Sequence, residues 1–117
     1  MFIALVVVTV LLAAICLNSA AMKVRQNEQV LAVIHGTVGV PKQYLSVLAG
    51  LEIAGAAGIL LGLWLEPLGV LSAAGLVAYF VGAVGGHVRV RDTTNLVMPL
   101  PPLVLAIAVL VLRLVTA

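Results

Sequence analysis

Glu52 is the residue of this chain with the most chemical consequence. It lies well inside a long apolar run, and an ionised carboxylate at membrane depth is costly enough that such a residue marks a functional site. The next apolar run carries Tyr79. If the two runs are antiparallel helices joined at Glu66 and Pro67, Glu52 precedes Glu66 by fourteen residues and Tyr79 follows it by thirteen. At equal rise per residue both side chains then sit at one level, roughly 10 to 12 Å below the membrane boundary opposite the turn. A phenol would meet a carboxyl group there. Burial favours the neutral form of a carboxyl group, and a neutral acid beside a tyrosine can donate to a carbonyl or pass a proton. The same pair also serves as a polar clamp between helices with no chemistry at all. Asn18, near the end of the first apolar run, is placed to join them from a third helix.

A second polar cluster is the run His87-Val88-Arg89-Val90-Arg91-Asp92. His87 with Arg89 has the donors to hold an anionic or quinone-like oxygen, and His87 could feed protons toward Glu52. Cations at a helix C-terminus and snorkelling arginines account for the same residues without function. His35 is near enough in sequence to a neighbouring connection to reach the same mouth. Two histidines raise axial haem ligation, but their positions at the interface and the absence of a haem-attachment motif argue against haem as a cofactor. No zinc spacing, phosphate-binding glycine loop, nucleophile elbow or nucleic-acid module is present.

These residues need elements to position them. The chain has 117 residues, 64% hydrophobic and 9% charged, too little polar surface for a soluble domain of this size. Four stretches are long enough to cross a hydrocarbon core, which takes about 20 residues at helical rise: residues 2–22, 44–64, 68–86 and 96–115. The expected fold is all-α, one integral membrane four-helix bundle spanning 1–117. A short amphipathic interfacial segment is expected between helices one and two, where Val30, Leu31, Ile34 and Val38 recur beside Gln26, Asn27, Glu28 and Gln29. Gly36, Gly39 and Pro41 should end it. The second connection is a tight turn with Pro67 starting helix three. Pro99, Pro101 and Pro102 should bend or unwind the start of helix four. Gly50, Ala54, Gly58 and Gly62 form a stripe on helix two suited to close packing, and helix three carries Gly75, Gly82, Gly85 and Gly86.

The first run reads as a retained helix rather than a cleaved leader, because no positive residue precedes it. Its Cys16 is the chain's single cysteine, so no dithiol forms within one chain, and a small packing role is expected. With alternating helices, Lys23, Arg25, Lys42, Arg89 and Arg91 fall on one side and Arg113 on the other. This asymmetry places both termini outside the cytoplasm of a bacterial-type inner membrane. Anionic lipid headgroups suffice as partners for the net charge of +2, and nucleic acid is not implied.

Ser19 and Lys23 closing helix one, the stretch GVPKQYLSVLAGLEIAGAAGILLGLWLEPLG from Gly39 to Gly69, and GAVGGHVRVRD from Gly82 to Asp92 before a proline-opened last helix together resemble the DoxX-like family. The specific pieces are Leu51-Glu52-x-x-Gly55 and His87-x-Arg89. The resemblance implies a four-helix membrane protein with a link to quinol and thiosulfate:quinone redox systems, or to maturation, transport and assembly. It implies roles for Glu52, His87, Arg89 and Asp92, and also for Lys23 and Pro99. Three functions follow as alternatives. The first is a binding protein or oxidoreductase accessory for a small lipophilic, quinone-like molecule, with a partner redox subunit or a second copy of the chain. The second is a cofactor-free membrane enzyme with Glu52 as general acid or base, Tyr79 and His87 beside it. The third is a non-catalytic scaffold. In the first two, Asn18, Arg89 and Asp92 contact the ligand and no metal is involved.

Overall fold

The computed structural model describes residues 2–25, 28, 31–92 and 94–116. These residues are helical and contain no strand. Four long helices dominate: α1 over Phe2–Val24, α2 over Leu45–Leu61, α3 over Glu66–Arg89 and α4 over Leu100–Thr116. Two of them, α1 and α3, are long and apolar enough to cross a membrane, while α2 and α4 are shorter apolar helices. A π-helical turn over Leu31–Val38 follows α1, and short 3-10 turns at Lys42–Tyr44 and Thr94–Val97 precede α2 and α4.

Each long helix buries one narrow stripe at three- and four-residue intervals, the spacing that keeps a single face inward. On α1 the stripe includes Leu5, Thr9, Leu12, Cys16, Ala20 and Lys23. On α2 it includes Leu45, Ala49, Glu52, Ala56 and Ile59. On α3 it includes Gly69, Ala73, Leu76, Phe80 and His87. On α4 it runs through Pro102, Ala106, Val109 and Arg113. The pattern places one ionisable side chain on every inward face: Lys23, Glu52, His87 and Arg113 are all buried. Helix α1 packs on α2 and α4, and α3 packs on the same two, so the four close into a ring. Apolar residues fill its middle, with Leu12, Cys16, Ile59, Leu76, Phe80 and Val109 in one cluster. The outward faces are equally apolar; Ile3 is 78% exposed, Trp64 79% and Leu71 72%.

The α2–α3 hairpin is as tight as the sequence implies. Helix α2 stops at Leu61, three residues short of the expected boundary, and Gly62, Leu63 and Trp64 form the turn. Pro67 occupies the first turn of α3, where a missing N–H costs nothing. Of the glycine stripe on α2, Gly58 and Gly62 do pack: a methyl group there would lie 2.7 Å from Ser72 Cβ and 2.6 Å from the Gly69 nitrogen. Gly50 and Ala54 face outward instead. Gly55, outside the stripe, takes their place against Leu76.

The other end differs more from expectation. Helix α3 continues past Gly86 to Arg89, carrying His87 inside its last turn. Gly86 lies within the helix, and Val38 packs on its bare face, 3.2 Å from where a Cβ would stand. Helix α4 starts at Leu100 and not at residue 96, so Pro101 and Pro102 fall in its first turn and initiate it. Within the Leu31–Val38 turn, expected from the sequence as an interfacial segment, Val33 is buried while His35 and Thr37 face out. Gly39 ends it with φ +91°, a left-handed conformation that suits glycine. Gln26, Asn27, Gln29 and Val30, also expected in this segment, lie outside the described residues.

Gly62→Val should lower the thermal unfolding midpoint in detergent, at a cost of about 1–3 kcal/mol or more, because the new methyl groups meet backbone and not a movable side chain. Gly50→Ala, with nothing within 4 Å, should leave the midpoint unchanged or raise it slightly. Equal losses in both variants would contradict the glycine packing described.

Candidate functional site

Glu52 is completely buried, with 0% exposure, and is the point at which three helices meet. Its Oε1 accepts a hydrogen bond from the Tyr79 hydroxyl of α3 at 2.7 Å. This is the contact that equal depth in the hairpin implies. Two more donors reach the same oxygen from α1: Ser19 Oγ at 3.2 Å and the Lys23 ammonium, in a buried ion pair. Lys23 Nζ also donates to Ser19 Oγ at 2.7 Å. The i and i+4 spacing of Ser19 and Lys23 stacks them on one face, so the helix delivers both to one acceptor. The other oxygen, Oε2, is buried and has no hydrogen-bond partner among the described residues. The Tyr79 and Phe80 rings make a T-shaped pair, with centroids 5.0 Å apart and planes at 84°, which helps to hold the phenol in place.

Asn18 does not join this group. One residue before Ser19, it is turned about 100° away around the helix, stands exposed, and directs its amide to Met22 Sδ at 3.6 Å. Lys23 takes the position expected for Asn18. From charge alone Lys23 reads as a loop cation on the membrane surface, yet only 8% of it is exposed. The available signal was its register: Leu12, Cys16 and Lys23 fall on one stripe with Ser19 beside it. Cys16 is a buried free thiol in the apolar cluster, consistent with a packing residue.

His87 and Arg89 part company despite their proximity in sequence. His87 is buried, and its Nδ1 lies 3.0 Å from Asp92 Oδ2. Asp92 folds back because its own N–H bonds to the His87 carbonyl at 2.8 Å, across Arg91 at φ 57°. With Nδ1 engaged, Nε2 is the ring nitrogen left for a ligand. Arg89 is exposed, and its guanidinium donates to the Val38 carbonyl at 3.1 Å, latching the end of the π-helical turn onto α3. His35 faces away from this region, with Nδ1 2.9 Å from the Val40 carbonyl of its own segment.

These residues border a cavity of about 490 Å³, within the range of about 300–1,000 Å³ typical of small-molecule sites. Ile15, Leu48, Ala78 and Phe80 make apolar walls, Ile34, Val38 and Val40 of the interfacial segment roof it, and Met98, Pro99 and Pro102 close the α4 side. Ser19, Lys23, Tyr79, His87 and Arg89 supply the polar lining. Glu52 is behind them and does not line the cavity. Among the described residues no group of His, Cys, Asp and Glu could hold a metal ion.

A family model for the DoxX-like family matches residues 7–109, spanning every element of this site. The chain belongs to the DoxX-like family. Membrane association comes with the family, and the two long apolar helices agree with it. No curated protein and no solved structure matches the chain at a significant level. In this DoxX-like protein the geometry of the site is built on Glu52.

That geometry makes Lys23 necessary to Glu52. Removing one partner of a buried ion pair costs about 3–5 kcal/mol, because the other charge stays buried and unpaired. Lys23→Met should therefore lower the unfolding midpoint strongly, and adding Glu52→Gln should recover much of the loss. Asn18→Ala should leave it unchanged. A double variant as unstable as the sum of its singles would contradict the pairing.

Proposed function

We propose that this DoxX-like chain is a multi-pass membrane protein, a transmembrane four-helix bundle whose cavity binds a small lipophilic molecule with an oxygen-bearing, quinone-like head. Its role would be that of a component or accessory of a membrane oxidoreductase, working with a partner redox subunit or a second copy. Support for the bundle comes from apolar outer faces far larger than water tolerates and from an overall length of 41 Å, enough to cross a hydrocarbon core of about 30 Å. Helices α2 and α4, with 17 residues each, match the short end of the spanning range of about 17–25. Arg25, Lys42, Arg89 and Arg91 still favour termini outside the cytoplasm, although Lys23 no longer counts as a loop charge.

The observation that carries the ligand reading is the division of labour in the cavity. Its walls are largely apolar, and Ser19, Lys23, Tyr79, His87 and Arg89 bring polar groups to them. Tyr79 and Ser19 spend their hydroxyl protons on Glu52. An ammonium has three N–H donors, and Lys23 uses two, on Glu52 and Ser19. Its third N–H and the remaining guanidinium N–H groups of Arg89 are then the donors a head-group oxygen can meet, while His87, whose Nδ1–H faces Asp92, offers Nε2 as an acceptor for a head-group hydroxyl such as that of a quinol. These donors fit a quinone carbonyl. Bound there, a quinone would supply two-electron, two-proton redox chemistry. The chain's residues would bind and orient it while Glu52 holds Lys23 and Tyr79 in place. General-acid chemistry by Glu52 fits less well, since three donors crowd Oε1 and the residue is outside the cavity lining. A pure scaffold gives no reason for the cavity.

Binding of a short-chain benzoquinone and of its quinol to purified protein in nanodiscs tests this reading. Arg89→Lys should weaken both about tenfold, equivalent to about 1.4 kcal/mol, because lysine keeps the charge and loses the planar fork, and His87→Ala should weaken the quinol by a similar factor as its acceptor is lost. The unfolding midpoint should hardly move in Arg89→Lys and should fall in His87→Ala, which truncates a buried ring and removes the partner of Asp92. Unchanged affinity would remove both residues from the site, and absence of binding to the native chain would overturn the reading.

A further inference from the structure

Along the α2–α3 seam the inward glycines bring the two helices together, with Gly55 on Leu76, Gly58 on Ser72 and Gly62 on Gly69 leaving no room for a methyl group. Gly50 and Gly75 face outward instead, where an added methyl group would meet nothing within 4 Å. On this outer face a groove of about 540 Å³ is bordered by Leu51, Ala54, Leu71 and Gly75, with Gly55, Ser72 and Leu76 also in its lining. It meets the head-group cavity at Ala78 and Tyr79, which line both spaces. Tyr79 is therefore the wall between them, and its hydroxyl is tied to Glu52.

We propose that the ligand is an amphiphile with a linear hydrocarbon tail, whose head occupies the cavity while the tail passes Tyr79 and lies in the α2–α3 groove, facing the bilayer. This rests on the lipophilic-ligand reading above and narrows its class. A compact apolar molecule would leave the groove unused. A tail of acyl or isoprenoid type matches a narrow lane that is open along one side and walled by aliphatic and small residues. The lane carries no charged side chain, and Ser72 and Tyr79 are its polar members. The head, in contrast, meets Lys23, His87 and Arg89. Tail and head thus have chemically separate surroundings joined at one aromatic ring.

The test uses a benzoquinone bearing a decyl chain with a terminal diazirine, irradiated with the full chain in phosphatidylcholine nanodiscs. Cross-links mapped by peptide mass spectrometry should fall on residues 51–54 and 71–75. An excess of tail-less benzoquinone should displace them. Labelling should be lost in Gly75→Phe, which fills the groove, and retained in Gly75→Ala. Ala54→Phe, which blocks the lane from the facing helix, keeps the test valid if Gly75→Phe fails to fold. Displaceable labels on the interfacial segment or on α4 would overturn the tail lane and leave the head-group cavity standing. Labels that the tail-less quinone cannot displace would overturn both.

Discussion

One carboxylate oxygen, Oε1 of Glu52, collects donors from α1 and α3 while belonging to α2. Carrying an unpaired charge into an apolar interior costs far more than a small domain's whole stability, so the oxygen binds its donors as tightly as they bind it. Lys23 neutralises it, Ser19 bridges the two, and Tyr79 fixes the third helix. Between helices surrounded by hydrocarbon, apolar packing alone sets neither register nor rotation, because lipid tails are as apolar as leucine. A polar node specifies both. Every other feature of the site takes its position from this contact: Tyr79 becomes the cavity wall and Lys23 turns a partly used ammonium toward the cavity.

The cavity lies among α1, α3 and the start of α4, with Leu48 as its lining residue from α2. Glycines bring α2 and α3 into backbone contact near their turn, and at the depth of the cavity the Tyr79–Glu52 hydrogen bond joins the same two helices. The space is roofed by the Leu31–Val38 turn, which needs Gly86 to lie close and Arg89 to stay latched. His87 is set by a separate device, the return of Asp92 across the helix end. Close glycine contacts, a polar node and a latched roof thus act on one space from three directions.

The sequence showed the parts governed by periodicity and by short-range geometry. The tight hairpin set Glu52 and Tyr79 at one depth, and a single turn leaves little freedom to that register. Four apolar runs gave the long helices with ends displaced by a few residues, since prolines and glycines mark ends without fixing them. What it concealed was rotation. Asn18 and Lys23 differ in facing, which depends on which stripe of α1 meets α2, and an almost uniformly apolar helix gives that stripe little contrast. Lys23 was further disguised as a loop cation, because proximity to a helix end says nothing of a partner on another helix. Likewise Gly50 and Ala54 share the spacing of Gly58 and Gly62, but a four-residue spacing drifts about 40° around the helix at each step, which carries them out of the contact. Arg113 shows the same limit: its burial against Gly69 at the far end was not legible from a terminal arginine.

The ionised, triply bonded Glu52 carboxylate is the claim on which the rest stands, and isotope-edited infrared spectroscopy addresses it directly. With labelled glutamate, the difference between native chain and Glu52→Gln should isolate a carboxylate stretch, and that band should shift in Tyr79→Phe as one of three donors is withdrawn. A protonated-acid carbonyl band in its place, or a carboxylate band indifferent to Tyr79→Phe, would contradict the account.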